Sequence, residues 1–207
     1  MHKWEEWKRE IWNHKYLILI SLVFLLISTV LDYAAGIYVS EIPGVVAPDL
    51  ILDNIPTVDL DFIFTYGMIF MILVLFIYPL LFRVKDLHKV ISQFSLLIMV
   101  RSAFTCFTHL KVPSDALTFN TPYIISFLTF QNDLFFSGHT AIAFLGFLLF
   151  KGEKIRYFFL ITSIIMGITV LLMHVHYSID VFSAFFITYG TFKIGKWIFN
   201  KINHYNS

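Results

Sequence analysis

Apolar residues in this chain neither alternate with polar ones, as in a strand, nor mark one stripe of a surface helix. They run on, at 16–39, 62–82, 90–108, 134–150, 157–173 and 177–197. Each run is close to the roughly 20 residues an α-helix needs to cross a bilayer. A backbone in lipid must satisfy its own hydrogen bonds, which a helix does. The pattern predicts an all-α fold: a polytopic membrane protein built as a six-transmembrane-helix bundle.

The segments between the runs differ in kind. Residues 1–15 mix Lys3, Lys8, Arg9 and Lys15 with Glu5, Glu6 and Glu10 around Trp4, Trp7 and Trp12. They read as a cytoplasmic amphipathic segment lying at a membrane surface, with Trp at headgroup level. Ala34 and Ala35 raise the alternative of a cleaved signal peptide, but the acids ahead of the run and its continuation past them favour a retained span. Residues 40–61 form a loop with Pro43, Pro48 and Pro56 and the acids Glu41, Asp49, Asp53, Asp59 and Asp61. Residues 83–89 and 151–156 are short basic loops. The connection 111–132 has an apolar centre, 123–130, too short to span and expected in the interface. Residues 16–199 thus make one catalytic membrane domain, and 200–207 a cytoplasmic tail.

Composition agrees with the pattern. The chain is 58% hydrophobic and 14% charged, well below the roughly 25% charged residues of soluble domains. With a net charge of +1 and no basic stripe, nucleic acid is not an expected partner. The lone cysteine, Cys106, excludes an intramolecular disulfide and reads as a small buried hydrophobe. Of the 15 Lys and Arg residues, all but Arg101 and Lys111 fall in the N-terminal segment, the two basic loops or the C-terminal region. Basic residues stay cytoplasmic, so both termini are expected inside, with the acidic loop on the exoplasmic, periplasmic or lumenal face.

That orientation gathers the polar groups of chemical interest on the outer side. Asp133, Ser137, Gly138 and His139 open the fourth run; His174, His176, Tyr177 and Asp180 surround the turn into the sixth; Arg101 lies inside the third. Ionisable groups beside apolar runs are costly and mark function by default. If the sixth helix begins near His176, then His176 and Asp180, at i and i+4, share a face. Asp180 would accept the Nδ1 proton and leave Nε2 as a nucleophile, and His139 would serve as acid and base. Ser137 and Gly138 would offer backbone N–H groups to a phosphate, with Arg101 supplying positive charge. Alternatively, Arg101 pairs with an outer acid such as Asp133. Asp32, near the end of the first run, is expected to be an interfacial carboxylate within reach of water. His2, His14, His88 and His204 are expected to be inert. A metal site on His174, His176, Asp180, Asp133 and His139 is the rival chemistry, although His174 and His176 at i, i+2 diverge on a helix. A transporter needs polar groups along both halves of its path, and the inner halves here have almost none.

Ser137-Gly138-His139, followed by His176-x-x-x-Asp180, resembles the last two signatures of the type-2 phosphatidic acid phosphatase superfamily. The longer strings Asp133-x-x-Phe136-Ser137-Gly138-His139-Thr140 and His174-x-His176-Tyr177-Ser178-Ile179-Asp180-Val181 resemble its sphingomyelin synthase branch. Pro48-Asp49, Arg101 and Leu110-x-Val112-Pro113 fit that branch's weaker motifs. The resemblance implies a six-helix bundle working through a phosphohistidine without metal or cofactor. His176 would be the nucleophile, Asp180 its partner and His139 the acid/base; Arg101, Asp133, Ser137, Gly138, His174 and Tyr177 would be the candidates for holding substrate. The implied partners are membrane lipids: a glycerophospholipid donor and a ceramide or diacylglycerol acceptor. Val170 stands where the phosphatase signature carries an Arg, leaving Arg101 as the main cation for the phosphate. Hydrolysis by a lipid phosphate phosphatase or a phospholipase C-like enzyme is the alternative outcome of the same site.

Overall fold

A computed structural model describes residues 2–119, 122 and 134–205. Among these are six α-helices: α1 (His2–Glu41), α2 (Met68–Phe82), α3 (Leu87–Phe107), α4 (Gly138–Leu149), α5 (Ile155–Leu172) and α6 (Ser178–Tyr205). Four helical segments, Trp4–Glu41, Ile63–Phe82, Val84–Phe107 and Ile155–Leu172, are long and apolar enough to cross a membrane, as in an integral membrane protein. The expected interfacial stretch 123–130 lies outside the described residues.

Two boundaries differ from the hydrophobic runs. The N-terminal polar segment is not a separate surface helix but the first turns of α1, which continues for 40 residues. No proline interrupts it before Pro43, so nothing in the backbone separates the polar turns from the apolar ones. Trp7 accordingly reaches the bundle and donates its Nε1–H to the Leu80 carbonyl at 2.7 Å. The fourth run starts as a helix only at Gly138, because Ser137 takes the N-cap position and accepts from the Thr140 N–H. The resulting α4 has 12 residues, about 18 Å at 1.5 Å per residue, and is too short to cross a bilayer by itself.

Packing follows side-chain size. In lipid, helices associate through close fit and small residues rather than through burial from water. Ser21, Ser28 and Ala35, each seven residues apart, form the buried seam of α1, and α1 lies along α3, whose Ser95 and Ser102 are buried too. Gly146 of α4 lets Phe159 of α5 come so close that a Cβ would overlap its ring. The apolar core combines Met71 and Leu75 of α2, Leu97 of α3, Ala141 and Leu145 of α4, Phe159 of α5 and Ala184 of α6. Outward-facing Leu19, Ile20, Val23, Ile161, Ile165 and Phe186 remain exposed, an apolar surface suited to acyl chains.

The acidic loop is docked rather than free. Val45 and Leu110 form an isolated parallel bridge, with Val45 N–H donating to His109 O at 3.1 Å and Lys111 N–H to Val45 O at 3.0 Å. This pairing ties the loop after α1 to the segment leaving α3, at the end of the bundle where α5 turns into α6.

Candidate active site

The turn from α5 to α6 is built on His174, whose φ of 54° lies in the left-handed region that few non-glycine residues adopt. His174 Nδ1 meets Asp115 Oδ2 at 2.7 Å, while its Nε2 is buried with no hydrogen-bond partner among the described residues. Two residues on, His176 is buried beside Asp180, which is wholly inaccessible. His176 Nδ1 lies 3.2 Å from Asp180 Oδ2. The same oxygen accepts the Tyr177 N–H at 3.0 Å. The pairing is not that of two residues on one helical face, as the spacing had implied. Here α6 begins at Ser178, so His176 hangs in the turn above the helix and the Asp180 carboxylate folds back onto it. Asp180 Oδ1 is buried and unpartnered among the described residues.

A second element closes on this pair. The Asp180 carbonyl accepts the Ser137 N–H at 3.1 Å, which fastens the start of α4 to the start of α6. That bond corrects one expectation: the Ser137 N–H is already engaged, so it is not a phosphate donor. Its hydroxyl is engaged as well, within 3.2 Å of Thr140 Oγ1. Gly138 lies against Arg101; a Cβ there would sit 3.2 Å from Arg101 Nε, so a side chain at this position would have to push the guanidinium aside by a few tenths of an ångström. His139, one residue on, stacks on Phe64 with ring centroids 4.0 Å apart, and it lies within electrostatic reach of both His176 and Arg101.

Arg101 enters from α3. Its Nε–H donates to the Phe136 carbonyl at 3.1 Å, and its Nη1 lies 3.9 Å from Asp32 Oδ1. Asp32, with its side chain 20% exposed, turns onto α3, where the Ser102 hydroxyl donates to it at 2.8 Å. Asp133, the other acid considered for Arg101, lies outside the described residues. Val170 is fully buried in an apolar cluster with Phe64 and Met173, so no cation reaches the site from that position of α5. Tyr177 is also buried, and its hydroxyl is occupied on both sides: it donates to Lys111 O at 2.8 Å and accepts from the Ala47 N–H at 3.1 Å. It joins the two docked loops to the α6 start.

Two contributors escaped the sequence reading, and a third, Asp49, entered it only within the Pro48-Asp49 motif, with no role assigned. Thr105 of α3 donates to the Phe135 carbonyl at 2.9 Å, beside the Arg101 bond to Phe136. Asp115 meets His174. Asp49 caps α6 from a distant loop: one oxygen accepts the Ser178 N–H at 2.6 Å, the other those of Ile51 and Leu52 at 2.9 and 3.1 Å. Burial pushes the Asp49 carboxyl up, but these N–H donors outweigh it and hold the group below its ordinary value of 3.8. A Pro-Asp in an acidic loop was the available signal for Asp49; nothing in the sequence singled out Asp115. Among the described residues, no three His, Cys, Asp or Glu side chains converge in a metal-ligating arrangement.

The arrangement therefore places the His139 imidazole within electrostatic reach of the His176 imidazole and the Arg101 guanidinium, with a buried carboxylate behind His176. Such a set can attack, protonate and neutralise a phosphoryl group. No curated protein matches the chain. Residues 132–197 match the family model described as PAP2 superfamily C-terminal. The match supports the type-2 phosphatidic acid phosphatase superfamily, a family of lipid phosphatases and phosphotransferases, for the stretch of chain that bears both His139 and His176.

Proposed function

We propose that this chain is an integral-membrane lipid phosphotransferase of the sphingomyelin synthase type, moving a phospho-alcohol headgroup between lipids through a phosphohistidine. The observation that carries the reading is the buried His176–Asp180 contact, with His139 and Arg101 in electrostatic reach of one another. With Asp180 ionised, the Nδ1–H of His176 is the donor, and Nε2 keeps its lone pair.

In the first step His176 Nε2 attacks phosphorus of a glycerophospholipid, forming a P–N bond. The P–O bond to the glycerol oxygen breaks, and protonated His139 delivers its proton to that oxygen, releasing diacylglycerol. In the second step neutral His139 takes the proton of the ceramide hydroxyl, whose oxygen attacks phosphorus. The P–N bond breaks and His176 is restored. Arg101 stabilises the charge on the phosphoryl oxygens throughout. The basic termini and loops face the cytoplasm in this reading, and the site faces the exoplasmic, periplasmic or lumenal side. With water in place of ceramide the same steps describe a lipid phosphatase or a phospholipase C-like hydrolase, and the family match covers that chemistry as well.

The test is incubation of the purified protein in mixed micelles with phosphatidylcholine, phosphatidylethanolamine and fluorescent ceramide, with His176→Ala as the blank. A ceramide phospho-alcohol that is absent from the blank supports transfer. Diacylglycerol, or a freed phosphate compound, without a ceramide product makes water the acceptor. No His176-dependent product of either kind overturns the reading.

A further inference from the structure

The other end of α3 holds a second group of ionisable side chains that this reaction does not use. His88, in the first turn of α3, is 8% exposed, and its Nδ1 is buried with no hydrogen-bond partner among the described residues. Buried polar atoms nearly always find partners, so an imidazole nitrogen left without one, on a residue that lines a cleft, draws attention to that cleft. His88 lines an open cleft of about 350 Å³ together with His14 and Leu17 of α1 and Arg83, Lys85 and Lys89 at the α2–α3 junction. The His14 and His88 rings stack with centroids 5.7 Å apart.

The charge of the lining is unbalanced. Asp86 is its one carboxylate, and it meets Arg83 at 2.6 Å and Lys89 at 2.8 Å. Lys85 is exposed and has no carboxylate partner among the described residues. Three fixed cations thus line the cleft with one anion, although Arg83 also meets Glu153, outside the lining, at 3.5 Å. Phosphate oxygens suit such a lining, because each can accept from more than one cationic donor. Immediately before Arg83, Leu81 and Phe82 are 56% and 72% exposed, offering an apolar surface beside the cleft for an acyl chain.

We propose that this cleft binds an anionic phosphate group, either the phosphomonoester headgroup of a membrane lipid or a free phosphate, through Arg83, Lys85 and Lys89, with His88 in its wall. It is separate from the site around His176. His88 and Arg101 lie about 20 Å apart along α3 at 1.5 Å per residue, and the groups point to opposite ends of the bundle. The proposal does not depend on the reaction proposed above.

Intrinsic fluorescence reads this end of the molecule. All four tryptophans lie here: Trp4, Trp7 and Trp12 in the first turns of α1 and Trp197 late in α6. The full chain in neutral detergent would be titrated with short-chain phosphatidate, with inorganic phosphate, and with short-chain phosphatidylcholine as the reference. A saturable change with phosphatidate alone identifies the lipid headgroup, and a change with both anions identifies the phosphate group as sufficient. In either case, the Lys85→Gln/Lys89→Gln variant is expected to bind about tenfold or more weakly, and His176→Ala to bind as the unaltered chain does. Arg83→Gln serves as a second variant with the same expectation. No saturable response to either anion, or an affinity unchanged in both cleft variants, would overturn the proposal.

Discussion

The two ends of the bundle hold similar residues in opposite ways. At the basic end most ion pairs are local: Lys8 with Glu5, Arg83 with Asp86 and Lys89 with Asp86 are all three residues apart, and the longer-range pair there, Arg83 with Glu153 at 3.5 Å, is partly exposed. At the other end the partners are distant in sequence. Ser178 N–H reaches Asp49 across 129 positions, Tyr177 bonds Lys111 across 66, and Arg101 bonds Phe136 across 35. Exposed local pairs contribute little and are screened by salt. Long-range bonds to buried groups instead fix one element against another, and losing one partner leaves the other stranded. The comparison teaches where geometry is held: chemistry that needs atoms placed to within an ångström belongs at the end where loops are bonded across the chain.

The largest expected effect comes from breaking the centre of that end. His176→Ala should lower turnover by about 10³-fold or more, and Asp180→Asn by about 10²–10⁴-fold, since the amide no longer holds the imidazole in its reactive tautomer. Initial rates in mixed micelles check both, with an unchanged melting temperature showing that the fold is intact.

Next is Gly138→Ala. Its Cβ would press on Arg101 at 3.2 Å from Nε, so the guanidinium or the α4 start must shift. A shift of a few tenths of an ångström is expected to lower turnover by less than the ~10²-fold that follows a displacement of about 1 Å, and stability by about 1 kcal/mol. A variant with unaltered kinetics would mean that Arg101 has no catalytic part.

Asp49→Asn should act on stability more than on chemistry. It weakens charge-assisted bonds to three N–H groups, at a cost of about 1–3 kcal/mol. Because the carboxyl is held below its ordinary value, its stabilising contribution is fully present above pH 3.8 and is lost as pH falls through the lowered folded value. Acid melting curves of the two proteins should therefore converge below that point. Smallest of all, Lys8→Ala at the basic end should change stability by no more than about 0.5 kcal/mol; a larger loss would erase the contrast between the ends.

How much of this was legible in the sequence divides along the same line. The helices were, because a long apolar run has few other folds open to it in lipid. So was the meeting of His139, His176, Asp180 and Arg101, since ionisable groups beside apolar runs stand out. The boundaries were less so: α6 starts two residues after His176, and that small shift replaces a shared helical face by a folded-back carboxylate. The polar segment before α1 merged into it because helix continuity depends on the absence of breakers, not on composition. The partners of Asp49, Asp115 and Asp32 were hidden for another reason. Each acid bonds a partner far along the chain, and a single sequence carries no local pattern for such contacts.

The central claim is that His176 carries the phosphoryl group, and intact-protein mass spectrometry tests it most directly. The chain would be mixed with phosphatidylcholine without ceramide and quenched at alkaline pH, where a phosphorus–nitrogen bond to histidine survives. The account predicts an added phosphocholine mass on His176 that is discharged when ceramide is supplied and is absent from His176→Ala. Turnover without that adduct, or an adduct on another residue, would contradict it.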